Sequence, residues 1–257
     1  KVLERAGISV PGGYEYTSPE AGMADYRLYA GKPVVIKPKS TNFGLGITIL
    51  KHNYDETDFK AALQIAFEHD NTVLIEKFIP GREFRIFIIN DEVVGILHRV
   101  PANVTGDGVL NIGQLIDMKN EDPLRGKGYR TPLEKIRKGR EEEMFLKQQG
   151  MDFNTVPKER EVVYLRENSN ISTGGDSIDF TDDIDDSYKA IAVEAAKALN
   201  VKITGLDMMI QDIHAPATPD NYAIIEMNFN PAIHIHCYPF KGKNRHLNHK
   251  MIKALGF

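Results

Sequence analysis

An apolar strand with a lysine inside it is the feature that most limits what this chain can become. In KPVVIKPKSTNFGLGITIL, residues 32–50, Lys37 follows Val34, Val35 and Ile36. A proline breaks the run, and a loop containing Ser40, Thr41, Asn42, Gly44 and Gly46 leads into a second apolar run. A bare ammonium is too costly to desolvate for Lys37 to be buried without a partner. Two placements remain. Either the strand is at a sheet edge and the amine reaches water along its aliphatic stem, or the amine faces an anion. The loop favours the anion. Its hydroxyl and amide donors are joined by glycines that let backbone N–H groups approach phosphate oxygens. It is not a Walker loop, in which the lysine follows the glycines. Nor does it open a helix, as a dinucleotide fingerprint does.

The remaining punctuation gives an outline. The helix from Asp55 puts Phe59, Ala62, Leu63, Ala66 and Phe67 on one face, with Asp55 or Thr57 as cap. Residues 72–79 read as a strand, and residues 83–100 as a hairpin with Asn90-Asp91 at its tip. A short helix is expected within 111–123 and a strand at 161–165. A further helix starts at Asp185 or Asp186 and stops near Asn200. Two closing strands, KITGLDMMIQD and NYAIIEMNFN, complete the chain. Residues 119–160 are dense in both signs of charge and read as a solvated helical insertion. Helices mixed with hairpin-linked strands predict an α+β (mixed α/β) fold.

Composition narrows the function classes. With 257 residues, 42% of them hydrophobic, the chain has enough apolar material for one large domain or two lobes. A formal charge of −4 gives no general footprint for a nucleic-acid backbone, so no nucleic-acid partner is expected. The single Cys237 excludes an internal disulfide framework and fits a reducing, cytoplasmic setting. No apolar run approaches the ~20 residues of a membrane span, and no signal peptide is evident. The chain starts at Lys1 inside what reads as a helix, which leads us to expect a piece of a longer protein.

Three clusters carry chemistry besides Lys37. In EFRIF, period-two alternation puts Glu83, Arg85, Phe87 and Ile89 on one strand face. Two opposite charges there read as a surface ion pair or as a cleft for a polyol and an anion. In ITGLDMMI an acid, Asp207, interrupts an apolar strand, while Glu226 and Asn228 share a face of the next strand. Two carboxylates and an amide oxygen suit Mg²⁺, which takes its remaining ligands from water and phosphates. In NPAIHIHCYPF, His234 and His236 share a strand face beside Cys237. With no fourth ligand at useful spacing, zinc is disfavoured and packing or substrate contact preferred.

Lys37 with its glycine loop, then IEKFIPGREF, then Asp207 with Glu226-x-Asn228 resembles the ATP-grasp carboxylate–amine ligases, in matching order over residues 34–231. Longer stretches, including GREFRIFIINDEVVGILHRVPANVTGDG, NEDPLRGKGY and NSNISTGGDSIDFTDDI, narrow the resemblance to one branch. That branch holds cyanophycin synthetase and the C-terminal module of the bifunctional glutamate–cysteine ligase/glutathione synthetase. The wording VVIKPKSTNFGLGI and EMNFNPAIHIHCYPFKGKNRHL leans to the glutathione type.

The resemblance implies an ATP-grasp fold, two α+β lobes clamping ATP. The small lid lobe falls at about 20–78 and the large catalytic lobe at about 79–257, with the charged insertion near 101–160. It implies that Lys37, Lys39, Ser40, Gly44 and Gly46 contact the ATP phosphates, the loop 40–46 closing over them. Lys77 (carbonyl) and Ile79 (N–H) would read the adenine, with Glu76 and Phe78 alongside, and Glu83 would take the ribose. Asp207, Glu226 and Asn228 would hold Mg²⁺ or Mn²⁺. The D-alanine ligases carry an arginine two residues before the metal aspartate to support the acyl phosphate. Here that position is Gly205, so Arg85, Arg99 or Arg166 must serve. A two-residue turn at Asn90-Asp91 pairs Arg85 with Ile96 and turns Arg99 to the opposite face, unless the hairpin carries a bulge.

The implied reaction joins γ-glutamylcysteine and glycine to glutathione, with a glutamate–cysteine ligase module upstream in the same chain and the homodimer question open. The alternatives are a cyanophycin-type polymer ligase, a catalytically silent nucleotide-binding module, and a structural domain that binds nothing.

Overall fold

The computed structural model describes residues 2–41, 45–51 and 53–256. The chain divides into two compact units, Lys1–Ile8 with Gly81–Phe257, and Ser9–Pro80. Helix α1 (Val2–Arg5) belongs to the first.

The Ser9–Pro80 unit contains β1 (Gly13–Tyr16), α2 (Pro19–Ala24), α3 (Tyr26–Tyr29), β2 (Val34–Pro38), β3 (Thr48–Leu50), α4 (Glu56–Phe67) and β4 (Val73–Lys77). Its strands form an antiparallel sheet in the order β1-β4-β2-β3. Helix α4 starts where the sequence says it should. The Asp55 carboxylate accepts the N–H groups of Thr57 and Asp58, and Asp58 accepts the N–H of Asp55, a reciprocal cap that satisfies otherwise orphaned donors. Phe59, Ala62, Leu63 and Ala66 pack on Val34, Ile36, Val73 and Ile75. Alternation then turns Val35, Lys37, Leu74 and Glu76 to the other sheet face.

Sequence patterning does not single out β1, α2 or α3. Strand β1 buries only Tyr16, so it shows no apolar alternation. The Tyr16 hydroxyl bonds those of Tyr29 at 2.8 Å and the Asp25 carboxylate at 2.9 Å, long-range contacts that no local pattern announces.

The larger unit continues with β5 (Arg82–Ile89), β6 (Glu92–Val100), β7 (Asn103–Thr105), α5 (Ile112–Lys119), β8 (Arg125–Gly126), β9 (Leu133–Glu134), α6 (Arg140–Gln148) and β10 (Val162–Tyr164). After a 3₁₀ turn (Ile171–Thr173) come β11 (Asp176–Asp179), α7 (Asp186–Ala198), β12 (Ile203–Ile210), β13 (Tyr222–Asn228), α8 (His234–Cys237) and α9 (Leu247–Ala254). Five antiparallel strands form the main sheet, in the order β11-β6-β5-β12-β13. Helix α7 packs against β5 and β6, capped by Asp185. Phe87, Ile89 and Val94 pack with Cys237 and Leu247, so α8 and α9 cover the Phe87 face.

Three expectations are corrected here. Residues 234–237 form a helical turn, not a strand, so His234 and His236 do not share a face. Strand β11 is absent from the sequence reading because Asp176 and Ser177 are polar yet buried. Their side chains are satisfied by partners far along the chain, which local alternation does not register. The charged segment 119–160 is not simply solvated. With neighbouring strands it builds a core of Ala102, Val104, Ile112, Leu115, Ile116, Ile136, Leu146, Val163 and Leu165. Arg125 and Glu142 are buried within it.

Two histidines, His236 fully buried and His98 partly so, give a pH prediction. His98 lies against the Phe84 and Phe180 rings, and its Nδ1 is 3.0 Å from the Glu83 carbonyl. Burial, then Arg82, pushes it down to about 4. His236 is fully buried beside Phe87, with no hydrogen bond to either ring nitrogen among the described residues, and burial pushes it down to about 3. A histidine held neutral in the fold binds fewer protons than its unfolded form, whose pKa is about 6.5. The folded state is therefore expected to lose stability as pH falls from about 6.5 toward 4, by up to about 1.4 kcal/mol per pH unit for each histidine. Urea unfolding at pH 7.5 and 5.5 measures the drop. His236→Leu should remove roughly half of it, and an unchanged drop would contradict the assignment to His236.

Candidate active site

In the Ser9–Pro80 unit, β2 is an interior strand between β4 and β3, so the edge-strand explanation of Lys37 does not hold. Its Nζ lies 2.6 Å from Glu76 Oε2 on the face opposite the α4 core, both side chains about one-fifth exposed. Lys37 and Glu76 are thus a half-buried charged pair. Lys39 pairs with Glu15 at 2.8 Å, and the Ser40 N–H donates to Asp70 Oδ2 at 2.7 Å, which fixes where the loop departs. Gly46 has φ +74°, and a Cβ there would come within 2.7 Å of Pro38 Cγ and His69 Cδ2. Its glycine therefore serves the turn itself, besides any approach to an anion. Asn42, Phe43 and Gly44 lie outside the described residues. After β4, the Phe78 N–H donates to the Pro33 carbonyl at 3.0 Å, with Lys51 Nζ 5.5 Å from its ring centroid. The Lys77 N–H donates to the Gly12 carbonyl, while the Ile79 N–H has no partner among the described residues.

The larger unit gathers its candidates on one face of the main sheet. Arg85 on β5 is in register with Asp207 on β12, and Asp207 with Glu226 on β13. One step along, Phe87, Gly205 and Asn228 form the adjacent row. Directly opposed residues share a face with Cβ atoms about 5 Å apart, so Asp207, Glu226 and Asn228 form one oxygen set. Arg85 donates from Nε to Asp207 Oδ1, and from Nη2 to Oδ2 at 2.8 Å. Arg99 donates from Nη2 to Asp207 Oδ2 at 3.0 Å and also ion-pairs with Glu83. Glu83 in turn accepts the Ser169 hydroxyl at 2.6 Å. Burial alone would raise the Asp207 carboxyl, which is 1% exposed, but Arg99 and Arg85 outweigh it and hold the group below its ordinary value.

The hairpin settles the question of Arg99. The β5–β6 register runs Phe84–His98, Arg85–Leu97 and Phe87–Gly95, then shifts to Ile88–Val93. That bulge turns the β6 side chains by one residue relative to a plain two-residue hairpin. Arg99 consequently joins Arg85 instead of facing away from it. Arg166 does not join them. Its Nε donates to Glu142 Oε1 at 2.7 Å, and it also pairs with Glu141, both on α6. Ser169 escaped the sequence reading, since only the tertiary fold carries it to Glu83.

The donor set suits a hard divalent cation. A carboxylate offers about four lone-pair directions, and the two arginines take three of those on Asp207. The Glu226 side chain is exposed and makes no hydrogen bond or ion pair among the described residues. Asn228 Nδ2 is buried without a partner, and turning the amide presents its oxygen from the same position. Three carboxylates, Glu83, Asp207 and Glu226, face two guanidiniums, and the excess negative charge favours a cation. No group of three or more His, Cys, Asp or Glu side chains placed to hold a metal occurs among the described residues, so Asp207 and Glu226 would need the Asn228 amide, water and substrate oxygens to complete a cation's shell. Cys237 is buried as a thiol that donates to Asn248 Oδ1 at 3.7 Å.

Position 205, two residues before Asp207, has no side chain, and Arg85 fills the space above it. A Cβ on Gly205 would come 3.1 Å from Arg85 Cδ and 2.7 Å from Pro231 Cβ.

Comparison with known proteins places this geometry. The sequence model of the D-ala D-ala ligase C-terminus matches residues 15–114. The whole chain is 62% identical to the glutathione biosynthesis bifunctional protein GshAB of Desulfotalea psychrophila, over 257 residues and 33% of that protein. It is 54% identical to that of Clostridium perfringens, over 99% of this chain and again 33% of the relative. The chain therefore spans about a third of the length of these curated relatives. Among solved structures, a bifunctional glutathione synthetase from Pasteurella multocida matches 99% of this chain and 35% of its own, at 48% identity and TM-score 0.73. A D-alanine–D-alanine ligase from Bacillus anthracis, 19% identical, matches 90% of this chain and 54% of its own at TM-score 0.52 and shares the fold. No helix among the described residues is long and apolar enough to cross a membrane. With the sheet topology and full-length homology in agreement, this chain has the fold of the ATP-grasp ligases and is homologous over its whole length to one third of the bifunctional glutathione-biosynthesis proteins.

Proposed function

We propose that this module joins γ-glutamylcysteine to glycine, forming glutathione, ADP and phosphate, with Mg²⁺ or Mn²⁺ at Asp207, Glu226 and Asn228. The observation that carries the reading is the row Arg85–Asp207–Glu226 with Asn228 beside it, in a chain homologous throughout to bifunctional glutathione-biosynthesis proteins. The γ-phosphoryl group passes from ATP to the dipeptide's C-terminal carboxylate, breaking the P–O bond to the leaving ADP and making one to a carboxylate oxygen. The glycine amine then attacks the acyl carbon. A C–N bond forms, the C–O bond to phosphate breaks, and the amine's proton goes to solvent.

The chain's own residues position the reactants and balance their charge. Lys37 and Lys39 take phosphate oxygens. The Lys77 carbonyl and the Ile79 N–H read the adenine edge beside Glu76 and Phe78, and Glu83 accepts the ribose hydroxyls. Asp207, Glu226 and Asn228 would hold a divalent cation, which would supply positive charge against the phosphates and carboxylate that otherwise repel each other. Arg85 and Arg99 bring positive charge to the oxygens of the acyl phosphate. We place the module in the cytoplasm, following a glutamate–cysteine ligase module in a longer chain, a reading supported by relatives three times its length.

The test is ADP release from Mg-ATP, γ-glutamylcysteine and glycine, with each left out in turn. Release that requires all three is expected. Release that ignores the dipeptide but follows an acidic peptide polymer would overturn the substrate in favour of a cyanophycin-type ligase.

A further inference from the structure

The charged segment 119–160 grips the loop that joins β10 to β11 at both of its ends. At the start, Arg166 donates from Nε to Glu142 Oε1 at 2.7 Å and also pairs with Glu141, both on α6. At the far end, Asp176 takes Lys119 Nζ at 2.7 Å and pairs with Arg125. Arg125 Nη1 also donates to the Gly174 carbonyl at 3.0 Å. Gly174 has φ +94°, and a Cβ there would lie 2.8 Å from Ile136 Cα. A Cβ on Gly175 would lie 2.8 Å from the Val100 carbonyl oxygen and 3.1 Å from that of Ser169. The two glycines therefore let the loop fold tightly between the charged segment and β6.

The side chain this loop delivers is Ser169. It is buried, and its hydroxyl donates to Glu83 Oε2 at 2.6 Å. The other carboxylate oxygen, Oε1, is buried and faces Arg99 in an ion pair. The Glu83 side chain still keeps 20% of its surface exposed, so Oε2 is the oxygen left to a ligand. A carboxylate oxygen has two lone-pair directions. Ser169 occupies one on Oε2 and thereby fixes where the other points.

We propose that Ser169 is a positioning residue for nucleotide binding, which holds Glu83 Oε2 where it accepts a ribose hydroxyl, and that the charged segment clamps the loop 166–176 to bring Ser169 there. The inference rests on the reading of Glu83 given above and goes beyond it, since it assigns the segment a task at the nucleotide. The ribose is remote from the phosphoryl group in transfer. A contact there holds ground state and transition state alike, so its effect belongs in KM and not in kcat.

The experiment compares ATP with 2′,3′-dideoxy-ATP, which lacks both ribose hydroxyls, in wild type, Ser169→Ala, Gly174→Ala and Ser169→Ala/Gly174→Ala. Release of the nucleoside diphosphate with γ-glutamylcysteine and glycine gives KM and kcat. Calorimetric titration with the Mg-nucleotide alone gives Kd without turnover. Ser169→Ala is expected to raise KM and Kd for ATP about tenfold, the effect of losing one hydrogen bond to a charged group, with kcat within about threefold of wild type. For the dideoxy nucleotide the same substitution should change Kd by less than about twofold, because the hydroxyls that Glu83 would accept from are missing. Gly174→Ala, whose methyl would push the loop off Ile136, should raise the ATP values about fivefold, and the double variant should exceed Ser169→Ala by less than about twofold. Glu142→Gln loosens Arg166 at the opposite end of the loop and serves as a second clamp variant, with the same ATP-selective loss expected.

Equal losses for the two nucleotides in Ser169→Ala would make Ser169 a general support of the fold and overturn the inference. So would unchanged ATP affinity, or a loss confined to kcat. Full additivity in the double variant, or unchanged ATP affinity in both clamp variants, would remove the role of the charged segment. Wild type that binds Mg-ATP but releases no ADP would overturn the ligase reading alone, with the Kd values still deciding this inference. Wild type that binds no Mg-ATP would overturn both.

Discussion

Glu226→Gln is expected to reduce ADP release by at least about 10²-fold, because a cation site contributes several kcal/mol of charge stabilisation. The same substitution should leave the melting temperature within about 2 °C of wild type. The combination follows from the environment of Glu226. Its side chain is exposed and makes no ion pair or hydrogen bond among the described residues, so the fold does not depend on its charge. Asp207 is the instructive contrast. It is buried between Arg85 and Arg99, and Asp207→Asn would leave two guanidiniums facing each other with little to separate their charge. That variant should lose activity and stability together, so its inactivity alone says little about a cation. Calorimetric melting beside the activity assay separates the two cases. Full activity in Glu226→Gln would remove Glu226 from the cation site and leave Asp207 and Asn228 too few ligands to hold one.

Arg125→Met should cost the larger unit about 3–5 kcal/mol, the range for removing one partner of a buried ion pair. The Arg125 side chain is fully buried and ion-pairs with Asp176. Its Nη1 donates to the carbonyls of Glu134 and Gly174 at 2.9 and 3.0 Å, and its guanidinium lies 5.5 Å from the Phe240 ring centroid. Asp176 also holds Lys119 Nζ at 2.7 Å and Asn103 Nδ2 at 3.0 Å. One arginine therefore ties the charged segment to β11, the edge strand of the main sheet. Methionine fills much of the volume but leaves two carbonyls and part of a carboxylate unsatisfied. Arg125→Lys should recover only part of the loss, since a point ammonium cannot span the same acceptors. Denaturant unfolding measures all three forms. A loss below about 1 kcal/mol, the size of an ordinary substitution, would mean that water or Lys119 takes over the role.

The outline of the fold was legible because its signals are local. Helix α4 with its Asp55 cap, α7 with Asp185, the β5–β6 hairpin and the closing pair β12–β13 all announce themselves within a few residues. The oxygen set was legible for the same reason. Glu226 and Asn228 share a face by strand period, and one hairpin brings Asp207 opposite. Among the elements that went unread or were misread, β1, β11 and α8 are short and are held by contacts from distant segments.

By itself, then, the sequence determined the α+β class, the positions of the long elements, and which acids and lysines are the candidates for the chemistry. Only the tertiary structure decided how those charges are paired. A bulge at the end of one hairpin turned Arg99 toward Asp207. A glycine on one strand admitted an arginine from the next. Residues in a segment that reads as solvated came to be buried as Arg125–Asp176 and Glu142–Arg166. The physical reason is one of range. Periodicity and capping are set by neighbours along the chain. The partner of a buried charge is set by whichever group of opposite sign the folded backbone brings within about 3 Å, and for Arg125, Arg99 and Asp207 that group lies far along the sequence.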